Sequence, residues 1–487
     1  MLNDEKIGVH VTLKGNGKTF EKIKGELFFP ADYEGPVHLV LTIPPQQMDV
    51  TELQDAETIS VEAVCFGATY VSQNAYMGDP TISDLDYINR KVTVTAYDVK
   101  KTISLHEAGR SYCNITFWLN NDAELPYCSL IKKSFEGSAK VEKANQEIMT
   151  FIIQDDEKII FKFKEIYQYK DNDNGYTAYR HKVCEVITDK EITDEAIIKQ
   201  IIKRTEDFLL LLSLGYDNRI SWIGYEYHDD KNYYEFYRGN MKSSRVKKRP
   251  VELSNNYFFI KDFIIATYTK FTKNRVYYDA IKRAIYALCN DQDMGIIDSK
   301  YLELFSSFEA ILLSYNREND NEQLLSRSEF KKLSKGIENS INAFFIKESI
   351  DESIIKQVIE KITELNRPSL KNTLARFQQV YRLPLDLFWP FFASGSEKPG
   401  LSDIRNKLIH GDFLHGKYDY LDFARHQLRI ILIIMIVKVL GWPLEKTRYT
   451  EDSIKRLCYY YPGILQTAQT NWKLNAVQEK TEVIKKN

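Results

Sequence analysis

Val9–Pro30 reads VHVTLKGNGKTFEKIKGELFFP. Within and around it, Ile7–Lys14 and Lys22–Phe29 are short runs in which apolar and polar residues alternate. A period of two is the signature of a half-buried strand. Gly15-Asn16-Gly17 punctuates the two runs and Pro30-Ala31-Asp32 follows them, as turns between strands require. The same texture returns at Val37–Ile43, Lys91–Val99 and Asn114–Leu119. Residues 1–160 therefore predict a β-rich module, sandwich-like or barrel-like.

Outward from there the pattern changes twice. Thr150–Tyr169 reads as a hairpin turning at Asp155-Asp156-Glu157-Lys158. A helical stripe follows: Ile197, Ile198, Ile201, Ile202, Phe208, Leu209 and Leu212, with Thr193 as N-cap and Gly215 at the C-cap. Two strands, Ile220–Tyr227 and Asn232–Tyr237, flank His228-Asp229-Asp230-Lys231. Residues 161–250 are thus a mixed α+β extension of the N-terminal region. From about 252 onward strand signals nearly vanish. Val276–Asn290, Ser299–Tyr315, Ile350–Asn366 and Tyr418–Leu440 carry helical periodicity, so 251–487 predicts an all-α bundle. The whole chain reads as a multidomain α+β protein.

Composition limits the function classes. Of 487 residues, 44% are apolar, 13% aromatic and 28% charged, which excludes disorder across the whole chain. The longest apolar run, Ile430–Val437, is bracketed by Arg429 and Lys438 and falls far short of the roughly 20 residues of a spanning helix. No membrane association is expected. Met1–His10 contains Asp4, Glu5 and Lys6 and no apolar stretch, so no signal peptide is expected. The cysteines (Cys65, Cys113, Cys128, Cys184, Cys289, Cys458) are scattered without a C-x-x-C pair. That fits a reduced, cytoplasmic protein with no structural zinc. The net charge of −2 combines an acidic first half with a mildly basic second half, and the latter would suit a polyanionic partner.

Several motifs offer chemistry. Gly17-Lys18-Thr19 resembles the end of a phosphate loop, but Thr12 stands where the pattern needs glycine, and a strand-like stretch follows; a hairpin turn fits better. His410, Asp412, His415 and Asp419 lie close together, but His410 and His415 lack the i, i+4 spacing that a helix aligns for a metal. No G-x-S-x-G elbow is present. Met241–Pro250, MKSSRVKKRP, packs Lys242, Arg245, Lys247, Lys248 and Arg249 into one segment, either a grip for a nucleic-acid backbone or a solvated loop. The aromatics just before it (Tyr225, Tyr227, Tyr233, Tyr234, Phe236, Tyr237) suit base stacking or, more simply, cross-strand packing.

The segment with the most chemistry is Leu401–Gly411, LSDIRNKLIHG, which follows the loop Ser394-Gly395-Ser396-Glu397-Lys398-Pro399-Gly400. Ser402 is its expected N-cap, Ile404, Leu408 and Ile409 its buried face, and Gly411 its C′ residue. Asn406 and His410 are i, i+4 and share a face; Arg405 lies about 100° around. An arginine and a histidine together are suited to a phosphodiester: one stabilises charge on phosphorus, the other moves protons. A capped core helix with incidental polar residues accounts for the same string.

The R-N-K-L-I-H-G string resembles the signature of HEPN domains, all-α modules marked by R-x(4–6)-H with a polar residue directly after the arginine. The preceding YLELFSSFEAILL (Tyr301–Leu313) and the long apolar helix after the motif are similar in kind. A β-rich region joined to a C-terminal domain of this type resembles the ApeA-like proteins, bacterial anti-phage abortive-infection nucleases. The resemblance implies a C-terminal HEPN helical bundle acting as a metal-independent endoribonuclease with no cofactor. In it, the ribose 2′-OH attacks the adjacent phosphate, leaving a 2′,3′-cyclic phosphate and a 5′-OH. His410 would be the general acid/base, Arg405 would hold the scissile phosphate, and Asn406 would orient either. Glu309 is an assisting candidate. Lys407 and the cations Lys242, Arg245, Lys247, Lys248 and Arg249 are candidate RNA contacts. A homodimer or higher homo-oligomer, a cellular RNA target with tRNA the foremost, and a phage-derived trigger are also implied. Two alternatives stay open: a non-catalytic HEPN protein that binds nucleotide or RNA or acts as an interaction scaffold, and metal-dependent hydrolysis through His410, Asp412 and His415.

Overall fold

Asn16 and Gly17 take φ of 50° and 74° and turn the chain between antiparallel strands β1 (Ile7–Gly15) and β2 (Lys18–Phe28). A two-residue hairpin turn needs positive φ at both central positions, which asparagine and glycine tolerate best. The Gly17-Lys18-Thr19 string is therefore a hairpin tip and opens no helix. The structure is a computed structural model that describes residues 6–30, 35–78, 81–83, 86–105, 113–120, 131–133, 139–141, 149–155, 157–172, 175–189, 191–192, 195–239, 253–291, 295–348, 351–392, 400–411 and 418–460. The chain divides into two compact units, Met1–Pro250 and Val251–Asn487.

In the first unit the sheet continues with β3 (Val37–Ile43), β4 (Ile59–Cys65), β5 (Ala68–Met77), the short β6 (Thr81–Ser83) and β7 (Asp86–Ala96). The order β5-β4-β1-β2-β3-β7 returns to β5, so these six strands close on themselves. The inward positions Val11, Leu13, Ile23, Leu41, Ile43, Val92 and Val94 form the core of this ring. Closure removes the edges that an open sheet would expose.

The expected strand Lys91–Val99 is two strands. β7 ends at Ala96, and β8 (Asp98–Ser104) leaves the ring. β5 explains the break: Ala75–Met77 pairs with β7, whereas Ala68–Val71 pairs with β8. Beyond β8 come β9 (Asn114–Leu119), the separate hairpin of β10 (Ile131–Lys133) and β11 (Ala139–Val141), then β12 (Met149–Gln154), β13 (Lys158–Asn172) and β14 (Gly175–Thr188). Helix α1 (Glu195–Tyr216) precedes β15 (Trp222–His228) and β16 (Asn232–Arg238). The sheet runs on as β8-β16-β15-β9-β14-β13-β12, so the strands of 161–250 share one sheet with the N-terminal strands.

Phe208 of α1 stacks on Phe161 at 3.8 Å and meets Phe151 edge-on at 5.1 Å, fastening the helix to the sheet. Gly215 lies inside α1 rather than at its C-cap; the left-handed residue that ends the helix is Asp217, with φ of 49°. The expected cap Thr193 lies outside the described residues. The aromatic hairpin packs on itself: Tyr227 stacks on Tyr234 at 4.7 Å and Tyr225 on Phe236 at 5.0 Å, both cross-strand pairs.

The second unit holds α2 (Tyr257–Lys273), α3 (Tyr278–Asn290), α4 (Ile297–Glu318), α5 (Arg327–Lys347), α6 (Glu352–Glu360), α7 (Leu370–Tyr381), α8 (Leu401–Ile409), α9 (Tyr418–Val439) and α10 (Glu451–Tyr460). No strand occurs among its described residues. The expected helix Ile350–Asn366 is α6 followed by a 3-10 turn, Lys361–Asn366. α4 lies between α3 and α9, burying Tyr301, Leu304, Phe305, Phe308, Ile311 and Leu312. The apolar run of α9 is buried throughout, and among the described residues no helix is long and apolar enough to cross a membrane.

One buried ionic cluster ties α9 to α3. Asp291 follows the last turn of α3 and pairs with Arg425 and, at 3.4 Å, Arg429, whose Nη1 also donates to the Leu288 carbonyl at 2.6 Å. Arg425 further donates to Asp422 at 2.7 Å. Burial lowers the Arg429 guanidinium to about 10, which still leaves it charged at neutral pH. Cations at the C-terminal end of a helix are favoured by its dipole.

Candidate functional site

The helix that carries the motif is seated from both ends. At its start, Leu401 N–H donates to the Pro390 carbonyl and Ser402 N–H to the Phe391 carbonyl, both at 2.9 Å. Gly400, not Ser402, is the N-cap; its N–H donates to the Asp403 carboxylate at 2.6 Å. The chain approaches so closely here that a Cβ on Gly400 would lie 2.5 Å from the Phe391 oxygen. Ser402 therefore lies inside the first turn, where its N–H donates to the Phe391 carbonyl.

From α4, the Tyr301 hydroxyl donates to the Leu401 carbonyl at 2.7 Å. Burial, with the Asp403 carboxylate adding to it, pushes that phenol well above its usual range, so it stays a donor. Phe391 stacks on Phe308 at 4.3 Å and completes the seat. At the other end, His410 N–H donates to the Asn406 carbonyl at 3.1 Å, and Gly411 takes φ of 78°, the left-handed close expected of it.

On this helix Leu401 and Ile404 are fully buried, while Leu408 is half-buried. Ile409, expected on the core face, is 52% exposed. Its position is about 100° around from Leu408, and the seat on α4 reaches only the face of Leu401 and Ile404.

Arg405 is the hub of the polar side. Its Nη1 donates to Asn406 Oδ1 at 3.1 Å, and its Nη2 lies 3.5 Å from Glu309 Oε2 of α4. The guanidinium carbon stands 5.9 Å from the Phe305 ring centroid, within cation–π range. Arg405 and Glu309 side chains are 33% and 28% exposed, so the pair lies at the margin of solvent. Phe305 and Glu309 are i, i+4 on α4 and so present one surface to the arginine. Asn406 and His410 are exposed and Lys407 is half-buried on the same helix.

The fold thus brings Arg405, Asn406 and Glu309 into contact and places His410 at the exposed end of the same helix. Phe305, Tyr301 and the Phe391–Gly400 backbone contact went unread in the sequence; the i, i+4 relation of Phe305 to Glu309 was the available signal. Lys242, Arg245, Lys247, Lys248 and Arg249 lie outside the described residues, as do Asp412 and His415 and the side chain of Asp419. Among the described residues no group of three or more His, Cys, Asp or Glu side chains is arranged to hold a metal ion.

Chemically, the cluster offers a fixed guanidinium, an amide and an imidazole on one short, rigidly seated helix. Comparison with protein-family models and with curated proteins finds no match to the chain. Among solved structures, the crystal structure of YcgR in complex with c-di-GMP from Escherichia coli matches over 41% of this chain and 84% of that chain, with 13% identity and a TM-score of 0.13, a likeness too slight to carry an argument.

Proposed function

We propose that the chain is a metal-independent endoribonuclease of the HEPN type, acting in anti-phage defence by cutting cellular RNA, with tRNA the foremost target. The observation that supports this most is Arg405, held between Asn406 and Glu309 five residues before the exposed His410. In the proposed step, O2′ of the ribose attacks the adjacent phosphorus while O5′ leaves. An imidazole takes the 2′-OH proton, an acid returns a proton to O5′, and a 2′,3′-cyclic phosphate and a 5′-OH result. Arg405 would neutralise the charge that builds on the non-bridging oxygens. A homodimer would bring two such helices to one RNA, supplying one imidazole as base and the other as acid. The β-rich unit would sense a phage-derived trigger or restrain the nuclease.

A non-catalytic reading, nucleotide or RNA binding or a scaffold, is favoured by one specific observation. The guanidinium of Arg405 is already engaged by Glu309 and Asn406, as in a structural ion pair. The two readings part in one assay. Purified protein is incubated with total RNA and with a tRNA pool, with and without EDTA, beside His410→Ala. EDTA-resistant fragments with cyclic-phosphate ends that vanish in the variant are expected. Fragments that persist in His410→Ala, or that need a divalent metal, would sink the nuclease reading.

A further inference from the structure

Between the first turn of α2 and the segment joining α9 to α10, the second unit carries an open groove of about 640 Å³. Three cations line it, Lys446, Arg448 and Arg456, against one carboxylate, Glu445. The Arg448 and Arg456 side chains make no ion pair or hydrogen bond among the described residues. Of the acids in the first turn of α10, Glu451 lies 3.9 Å from Lys455. The groove therefore keeps a surplus of positive charge. The first turns of α2 and α10 both contribute to it; the α2 terminus adds the positive end of a helix dipole, while Glu451 and Asp452 offset that of α10.

Lys446 and Arg448 stand on a pinned stretch of chain, and Arg456 on α10. Arg448 N–H donates to the Leu253 carbonyl at 2.8 Å, the Thr447 hydroxyl to the Leu444 carbonyl at 2.7 Å, and Tyr449 N–H to the Thr447 hydroxyl at 3.1 Å. Thr447 and Tyr449 are buried on either side of Arg448. An aromatic wall completes the groove: Phe259 is half-buried, and Lys446 Nζ stands 6.0 Å from its ring centroid and 5.0 Å from that of Trp442. The exposed amide of Asn255 lies alongside. A cluster of cations beside a ring face is the chemistry that recognises single-stranded nucleic acid: charge tracks the backbone and the ring takes a base.

We propose that this groove binds the phosphodiester backbone of single-stranded RNA, with Lys446, Arg448 and Arg456 on phosphate oxygens and Phe259 against a base. The choice of RNA rests on the ribonuclease reading; the groove's affinity for a polyanion with π-faces does not.

The test is anisotropy of a fluorescein-labelled single-stranded RNA 20-mer titrated with the full-length His410→Ala chain across a salt series. In that background, replacing Lys446, Arg448 and Arg456 by Gln should weaken binding at least tenfold. It should also flatten the log–log salt slope by about 2, at roughly 0.7 for each phosphate that is no longer neutralised. Phe259→Leu should weaken binding about fivefold and leave the slope unchanged. A control variant lacking three exposed cations elsewhere, Lys331, Lys335 and Lys371, should bind as the parent does. Unchanged binding in the groove variant, an equal loss in the control, or no RNA binding by the parent would each overturn the proposal. So would competition by a glutamate-rich peptide as effective as RNA at equal charge, which would assign the groove to an acidic protein partner. Groove-dependent binding by a chain that proves unable to cut RNA would leave the groove standing and sink the nuclease reading instead.

Discussion

At the residue scale, the planar fork of Arg405 matters as much as its charge. One nitrogen meets Asn406 while another faces Glu309, a division that the compact ammonium of lysine cannot reproduce. On the proposed nuclease reading, Arg405→Lys should therefore lower RNA cleavage at least about tenfold. Its stability cost should stay within about 1 kcal/mol, because half-exposed ion pairs contribute little. A variant that cuts as fast as the parent would remove Arg405 from the chemistry. A second residue governs acid sensitivity. His181 is buried in the first unit, edge-on to Trp118 at 5.6 Å, and burial lowers its imidazole to about 4. The unfolded chain binds a proton there below about pH 6.5 and the folded chain does not until about pH 4. The contribution is thus complete above pH 6.5 and is lost as pH falls through that window, on the order of 3 kcal/mol in all. Urea midpoints at pH 7 and 4.5 should differ more for the parent than for His181→Phe; equal differences would refute the assignment. Neither the Arg405–Glu309 contact nor the burial of His181 could be read in the sequence, since each depends on elements brought together only by the fold.

At the element scale, the strands and helices that were legible are those whose pattern is local. Asn16-Gly17 specifies its hairpin because asparagine and glycine readily take the positive φ that both turn positions require, and Val37–Ile43 and Asn114–Leu119 alternate without interruption. β5 was not legible: Ser72-Gln73-Asn74 breaks its alternation just where its partner changes from β8 to β7. α5 was missed for another reason. None of its described residues is buried, so its apolar positions, Leu333 and Phe344 among them, record no packing that a periodicity search would expect to be complete. For α8, the sequence predicted the helix and its C-terminal glycine but placed the N-cap on Ser402. The true cap at Gly400 is dictated by a backbone approach to Phe391, and the Tyr301 hydroxyl that holds the first turn comes from 100 residues away. That approach makes a sharp prediction. Gly400→Ala would press a methyl group to 2.5 Å from the Phe391 oxygen, so the loop or α8 must move. A loss of about 2 kcal/mol or more is expected, from strain of the overpacking kind, together, on the proposed nuclease reading, with reduced cleavage, because Arg405 and His410 move with the helix. A variant with the parent's melting temperature would show that the contact is looser than the geometry states.

At the scale of the whole molecule, each unit carries its own core. The first closes six strands around Val11, Leu13, Ile23, Leu41 and Val92 and continues as a sheet covered by α1. The second centres on α4 and α9, with Phe305, Phe308 and Ile311 of one and Leu428–Val437 of the other fully or nearly fully buried. The change of texture near residue 252 marked this division in the sequence, because a switch from period two to period 3.6 is a property of the chain itself. What it could not reveal was the closure of the barrel, which depends on the split pairing of β5. A unit with its own apolar core and its buried Asp291–Arg425–Arg429 cluster should fold by itself. Residues 251–487 expressed alone are therefore expected to give a helical circular-dichroism spectrum and a cooperative thermal transition. Breaking the cluster by Asp291→Ala would remove the buried carboxylate that Arg425 and Arg429 share, leaving Arg425 only the more exposed Asp422 as its carboxylate, and should destabilise that isolated unit by about 3 kcal/mol. A broad, non-cooperative trace from residues 251–487, recovered only in the full chain, would show instead that the helical unit depends on the β-rich one for its stability. Removing the β-rich unit could then no longer serve as a way to ask whether it restrains the proposed nuclease.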